Sequence, residues 1–298
     1  MNEQICKLNS GVELCYRCYG DGEPLLLIAG LGLQLTSWPE DLIQGLVDKG
    51  FRVIVFDNRD VGRSTRFSAR PPTAMQIALR RMGSEYYDLD DMAADAVGLL
   101  EAVGVGAAHI VGMSMGGMIA QTVAARRPER VLSLTSIFST TGALFVGQPS
   151  FGMMLQLMRR PAKTRDEAVS RYLEAMRRIG GVKHRINEAR LAAYAREAWE
   201  RSGGSDAAGI GRQLGAILKS GDRTATLKQI TAPTLVVHGD RDPMVHPSGG
   251  KATAASIKGA RLVTIEGMGH DIADGVVPQL IELISGHALG GKSKPFAA

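Results

Sequence analysis

The pentapeptide Gly112-Met113-Ser114-Met115-Gly116 constrains this chain more than any other stretch. Before it, His109-Ile110-Val111 reads as the end of a buried strand; after it, Met115 to Arg127 reads as a helix stopped by Pro128. Ser114 therefore stands at a sharp strand-to-helix turn. Such a turn brings backbone segments so close that side chains at Gly112 and Gly116 would clash, which glycine avoids. It also pushes the serine hydroxyl out over the sheet edge, at the positive end of the following helix. A serine between glycines occurs in ordinary turns and phosphate loops as well. A strand before it and a helix after it is the context that makes it an exposed nucleophile.

A serine hydroxyl needs a base, and the base needs an orienting carboxylate. Thr234 to Gly239 reads as a buried strand that runs into Asp240-Arg241-Asp242-Pro243. The proline biases Asp242 toward an extended conformation beyond the strand's carboxyl end, where an orienting acid belongs. Asp240 is its rival. Arg261 to Ile265 is a further short strand, followed by the glycine-rich turn Glu266-Gly267-Met268-Gly269-His270, from which an imidazole can reach back toward Ser114. With Leu25–Ile28, Val53–Phe56, His109–Val111 and Leu132–Ile137, these strands are continuous apolar runs, as parallel strands covered on both faces are. Helical patterns alternate with them, including Pro39–Lys49, which ends before Gly50, and Leu89–Val103, which has Asp88 as its N-cap. The expected class is α/β, a mostly parallel sheet behind an N-terminal hairpin with helices on both sides.

In that order of serine, acid and histidine, each after a different strand, the chain resembles the α/β-hydrolase fold superfamily. The resemblance covers nearly the whole chain. It implies Ser114 as nucleophile, Asp242 as triad acid and His270 as base. Pro24-Leu-Leu-Leu-Ile28 followed by Ala-Gly-Leu-Gly32 resembles the oxyanion segment, and Phe56-Asp-Asn-Arg-Asp-Val-Gly-Arg-Ser64 resembles the family's Asp-x-Arg-Gly-x-Gly-x-Ser loop. The implied oxyanion donors are the backbone amides of Leu31 and Met115. Two positions depart from the pattern: Ala29 stands where many members carry histidine, and Asp60 replaces the usual glycine. The Arg-Asp-x-Gly-Arg-Ser variant is similar to the aclacinomycin methylesterase group of bacterial carboxylesterases. The implied activity is two-step hydrolysis of carboxylic esters of small or medium apolar substrates, small molecules, through an acyl-enzyme. A cofactor-free haloperoxidase or perhydrolase, a C–C bond hydrolase and a lactonase use the same triad and remain open, as does, further off, a receptor that retained it.

Residues 139–233 contain no convincing strand but several helical patterns: Ala168–Ile179, preceded by a Thr164/Glu167 capping box, then Ile186–Arg201 and Ile210–Lys219. In the superfamily an insertion here is a helical cap, dividing the chain into a core of 1–138 and 234–298 and a lid of 139–233 after the sixth strand. Residues 71–87 are a shorter insertion expected to fold against it. Met154 and Met158, with Met153 and Met176, are soft side chains suited to line an apolar substrate pocket or to pack the cap onto the core.

Asp57 and Arg59 are expected to form a structural ion pair or loop anchor, His109 and His238 to be hydrogen-bonded core residues, and His246 to lie on the rim. The 298 residues, 45% of them hydrophobic, suffice for one large domain with an insertion. The net charge of +5 is spread over groupings near Arg80, Arg159 and Arg177, which read as solvated helix faces and not as a nucleic-acid groove. No cofactor is expected, because no Gly-x-Gly-x-x-Gly follows a strand, and no metal, because no ligand spacing fits one. Cys6, Cys15 and Cys18 read as reduced structural thiols. With no run of 18 apolar residues and no signal-like start, a soluble cytoplasmic monomer or homodimer is the expectation.

Overall fold

A computed structural model describes residues 2–150, 152–153 and 161–290. Eight strands form one sheet: β1 (Gln4–Lys7), β2 (Glu13–Tyr19), β3 (Glu23–Ile28), β4 (Phe51–Phe56), β5 (Ala108–Met113), β6 (Val131–Ile137), β7 (Thr234–Gly239) and β8 (Arg261–Ile265). Their spatial order is β1-β2-β4-β3-β5-β6-β7-β8. β1 and β2 are antiparallel to each other, β2 is antiparallel to β4, and every pairing from β4 to β8 is parallel. The hairpin and the parallel sheet expected from the apolar runs are thus both present. From β3 the chain moves to β4 on one side and later to β5 on the other, so a crevice opens beyond the carboxyl ends of β3 and β5.

Both faces of the sheet are covered, which explains why its strands are apolar throughout. Leu26 and Ile28 of β3 join one buried cluster, with the helices α3 (Leu89–Ala102) and α4 (Met115–Arg126). Leu25 and Leu27 join the other, with α1 (Glu40–Asp48) and the last helix of the chain, Val277–Ala288. Alternate residues of one strand thus serve opposite cores, as the pleat requires. Burying each such leucine contributes about 1.5–3 kcal/mol. Asp88 caps α3 as expected, its carboxylate accepting from the amides of Asp90 and Asp91.

Residues 71–87 contribute the short α2 (Ala74–Leu79). Between β6 and β7 come α5 (Arg165–Ile179), α6 (Glu188–Arg201), α7 (Ala207–Ser220) and the short α8 (Thr224–Leu227). After β7 come α9 (Ser248–Ser256) and, after β8, α10 (Val277–Ala288). The Thr164 capping box forms by half. The Thr164 hydroxyl accepts from the Glu167 amide, but the Glu167 carboxylate takes the amide of Lys163 and not that of Thr164.

The helices α6 and α7 are tied to the loop after β4 by buried ions, and here the departure at Asp60 finds its reason. Asp60 adopts φ +75°, a left-handed conformation that glycine takes freely. Its carboxylate receives a two-pronged bond from Arg212 of α7 at 2.7 and 2.9 Å, the Tyr87 hydroxyl at 2.7 Å and the Phe67 amide at 2.8 Å. The expected loop anchors exist, but Asp57 and Arg59 do not pair with each other. Asp57 binds Arg201 of α6 at 2.8 Å, and Arg59 binds Asp95 of α3 at 2.6 and 2.7 Å while lying over the rings of Phe67 and Tyr87. Arg212→Met should leave the Asp60 carboxylate buried and uncompensated, at a cost of about 3–5 kcal/mol. Urea unfolding should register that loss, and restoring the family glycine with Asp60→Gly in the same chain should recover most of it.

Candidate active site

The turn after β5 has the strain its sequence announced. Ser114 adopts φ +54° and its amide donates to the Ile137 carbonyl of β6 at 2.9 Å. A Cβ at Gly112 would overlap the Gly116 carbonyl, and one at Gly116 would overlap that of Ile28. Only glycines let α4 start so close to β3 and β5, and that closeness lifts the serine side chain above the sheet.

Three residues distant in sequence meet there. His270 Nε2 lies 2.9 Å from Ser114 Oγ, and its Nδ1 lies 2.7 Å from Asp242 Oδ2. Because a carboxylate only accepts, Nδ1 carries the proton and Nε2 is free to accept from the serine hydroxyl. The other oxygen of Asp242 accepts from the amides of Met244 and Val245, both at 2.8 Å. Burial on its own would raise the Asp242 carboxyl, but His270, the adjacent His238 ring 3.4 Å away and the Val245 amide outweigh it and hold the group well below the usual carboxylate range. The rival Asp240 points elsewhere, accepting from the Gly267 amide at 2.6 Å and so shaping the loop that carries His270. His238 is buried, with Nε2 donating to the Val245 carbonyl at 2.8 Å; His109 is buried beside Ser133; His246 is exposed against Ser248.

Leu31 and Met115 border the same space as Ser114 and His270. Among the described residues, neither amide makes a hydrogen bond to a protein group. Gly30 brings the loop after β3 against the Ser114 turn, its Cβ position lying 3.3 Å from Ser114 Cβ. Met154 and Met158 lie outside the described residues; among the described ones, Met176 of α5 and Met113, Met115, Met118 and Met244 border the space. Among the described residues no cluster of three or more potential metal ligands occurs, and no helix is long and apolar enough to cross a membrane.

Comparison with known proteins identifies the family of the fold. A sequence model of the alpha/beta hydrolase fold matches residues 23–274. This chain belongs to the α/β-hydrolase fold family. Among curated relatives, rhodomycin D methylesterase from Streptomyces peucetius is 33% identical, covering 94% of this chain and 96% of its own length. The rhodomycin D methylesterase of Streptomyces sp. strain C5 is 34% identical, covering 89% of this chain and 90% of its own. The crystal structure of the enol-lactonase from Burkholderia xenovorans LB400 superposes with a TM-score of 0.73 at 22% identity, covering 96% of this chain and all of that one, a likeness of fold.

In this α/β-hydrolase the space over Ser114 is a cavity of about 830 Å³. Its walls are mostly apolar and come from the loops after β3 and β6, from α2, α4, α5, α6 and α7, and from the loops that carry Asp242 and His270. The segment 71–87 packs against α7, with Pro72 and Met82 beside Gly215, and supplies Ile77 and Ala78 to the wall and the exposed Arg80 to the rim. Two residues without any sequence signal complete the surroundings of His270. Phe138, at φ +36°, packs its ring 4.5 Å from the imidazole, centroid to centroid. Asp271 is buried beside it, and that burial raises its carboxyl from 3.8 to about 6 against the opposing pull of the Gly181 amide, His270, Arg190 and His184.

A carboxyl raised in the folded state binds a proton there at a pH where the unfolded chain has lost it, so folding stability falls as pH rises between 3.8 and about 6. Asp271→Asn removes that term. Denaturant unfolding at a series of pH values should show the variant gaining on the wild type across this window and holding a constant difference above it; a difference independent of pH would contradict the assignment.

Proposed function

We propose that this α/β-hydrolase cleaves carboxylic esters of bulky apolar acids through a serine triad. The hydrogen-bonded chain Ser114–His270–Asp242 at the floor of an apolar cavity carries this reading. His270 takes the Ser114 proton as the hydroxyl oxygen attacks the ester carbonyl. Asp242 holds the imidazole tautomer and stabilises the imidazolium. The amides of Leu31 and Met115 receive the oxyanion. Collapse of the tetrahedral intermediate expels the alcohol with the proton from His270, and water, deprotonated by the same imidazole, releases the acid.

Residues 139–233 act as a cap, joined by 71–87, that excludes water and sets which acyl groups enter. The methylesterase relatives support a small alcohol group, and the cavity's volume and apolar walls support a bulky acid. A methyl ester therefore places its reactive carbonyl at Ser114 with the acid portion under α5 and α7. The same relatives favour ester cleavage over the peroxidase, C–C hydrolase and lactonase readings.

Ser114→Ala should lower turnover of a methyl ester of a bulky aromatic acid by about four orders of magnitude while leaving the far-ultraviolet spectrum unchanged, because the triad acts as a unit. A fluorophosphonate should label wild type at Ser114. Asp242→Asn should cost on the order of 10⁴-fold through the wrong tautomer, with Asp240→Asn far milder. Turnover retained in Ser114→Ala, or the reverse ranking of the aspartates, would overturn the assignment.

A further inference from the structure

Gln213 lies in the middle of α7, about a hundred residues from the nucleophile, and is fully buried. Its Oε1 accepts from the Gly32 amide at 2.9 Å and its Nε2 donates to the Arg59 carbonyl at 2.8 Å. Both halves of the side-chain amide are therefore spent on backbone groups of two loops at the carboxyl edge of the sheet. The loop after β3 is a four-residue turn, closed by the Leu33 amide donating to the Gly30 carbonyl at 3.1 Å, with its third residue, Gly32, at φ +69°. A positive φ at the third position marks a type II turn. The type I alternative differs by a flip of the middle peptide, here Leu31–Gly32.

Gln213 grips the N–H of that peptide. Ile210, one turn earlier on α7, covers the other side of Gly32, with its Cγ1 2.8 Å from where a Cβ would sit. We infer that Gln213 is a positioning residue for the oxyanion turn: by holding the Gly32 N–H it fixes where the turn's backbone sits at Leu31, and with it the preceding Gly30–Leu31 peptide, whose N–H then faces the ester carbonyl. The inference rests on the ester-hydrolysis reading. It gives the insertion a part in the chemistry besides covering the pocket, because docking of α7 and assembly of the oxyanion turn become one event. Arg212 beside it, bound to Asp60, fixes the rotation of α7 that lets Gln213 reach Gly32.

The test compares Gln213→Met, which keeps the volume but offers neither bond, with Gln213→Glu, whose carboxyl still accepts from Gly32. In Gln213→Met, kcat for the methyl ester should fall roughly 10–100-fold with KM within about threefold, as a misaimed transition-state donor requires. Affinity for a trifluoromethyl ketone that forms a tetrahedral adduct with Ser114 should weaken in proportion to kcat/KM, while affinity for the product acid and the pH profile of kcat/KM stay as in wild type. Gln213→Glu should recover part of kcat, and it carries the comparison if Gln213→Met does not fold. Unchanged kcat in Gln213→Met, a rise in KM alone, or lost kcat with unchanged ketone affinity would overturn the inference. Ser114→Ala separates the two levels. If that variant is inactive and Gln213→Met is not impaired, only the role of Gln213 falls; if Ser114→Ala stays active, the ester reading itself falls.

Discussion

The approach of α4 to the ends of β3 and β5 is the constraint on which the site depends. With Gly116 against the Ile28 carbonyl and Gly112 against the start of α4, no Cβ fits at either position. The backbone turns so sharply that Ser114 takes a positive φ, a strain that the surrounding ladder sustains through the Ser114 amide and the Ile137 carbonyl. What the strain achieves is placement. The hydroxyl stands above the sheet at the helix N-terminus, within reach of a histidine carried by the loop after β8.

Around that turn the core supplies rigidity and the loops supply chemistry. Asp242 and His270 each follow a strand whose residues pair in register with the neighbouring one, so two loops far apart in sequence leave the sheet side by side. Their short bonds are then local consequences of strand order. The same sheet edge also receives the connection between α5 and α6. The His270 amide donates to the Ile179 carbonyl at 2.7 Å, and the Lys183 amide donates to the Gly267 carbonyl at 3.3 Å. Glycines at 181, 267 and 269 make this close backbone contact feasible, since a Cβ at any of them would overlap the opposing loop.

The segment between β6 and β7 is therefore held to the rest of the chain at two separated places. At one, its helices present Arg201, Arg212 and Gln213 to the loops after β3 and β4; at the other, its interhelical turn lies on the histidine loop. Buried arginine–carboxylate pairs are poor sources of net stability, because desolvation offsets their attraction, but they are strict about geometry. Here they specify the orientation of α6 and α7. The Gln34 side chain adds to this by donating to the Ala198 carbonyl and the Ser202 hydroxyl and accepting from Arg201, while its own amide donates to the Tyr194 hydroxyl. The apolar cavity is what remains between surfaces fixed in this way.

The sequence by itself determined the strands, their burial on both faces, the glycine-flanked turn and the order of serine, acid and histidine, because each is written in residues close together: continuous apolar runs, a helix stopped by proline, a carboxylate before proline. It favoured Asp242 over Asp240 on that local ground; in the structure Asp242 bonds the His270 ring and Asp240 the Gly267 amide. The tertiary structure alone decided the rest. Asp57 and Arg59 find Arg201 and Asp95 instead of each other, the second arm of the Thr164 box goes to Lys163, and Phe138, Asp271 and Gln213 gather about the site. For Asp57, Arg59, Phe138, Asp271 and Gln213, nothing nearby in the chain signals the partner, because those contacts are chosen by which loops the sheet order brings together. A glycine's place taken by Asp60 reads as a departure in the sequence; only beside Arg212 and Tyr87 does it become the anchor of a helix 152 residues away.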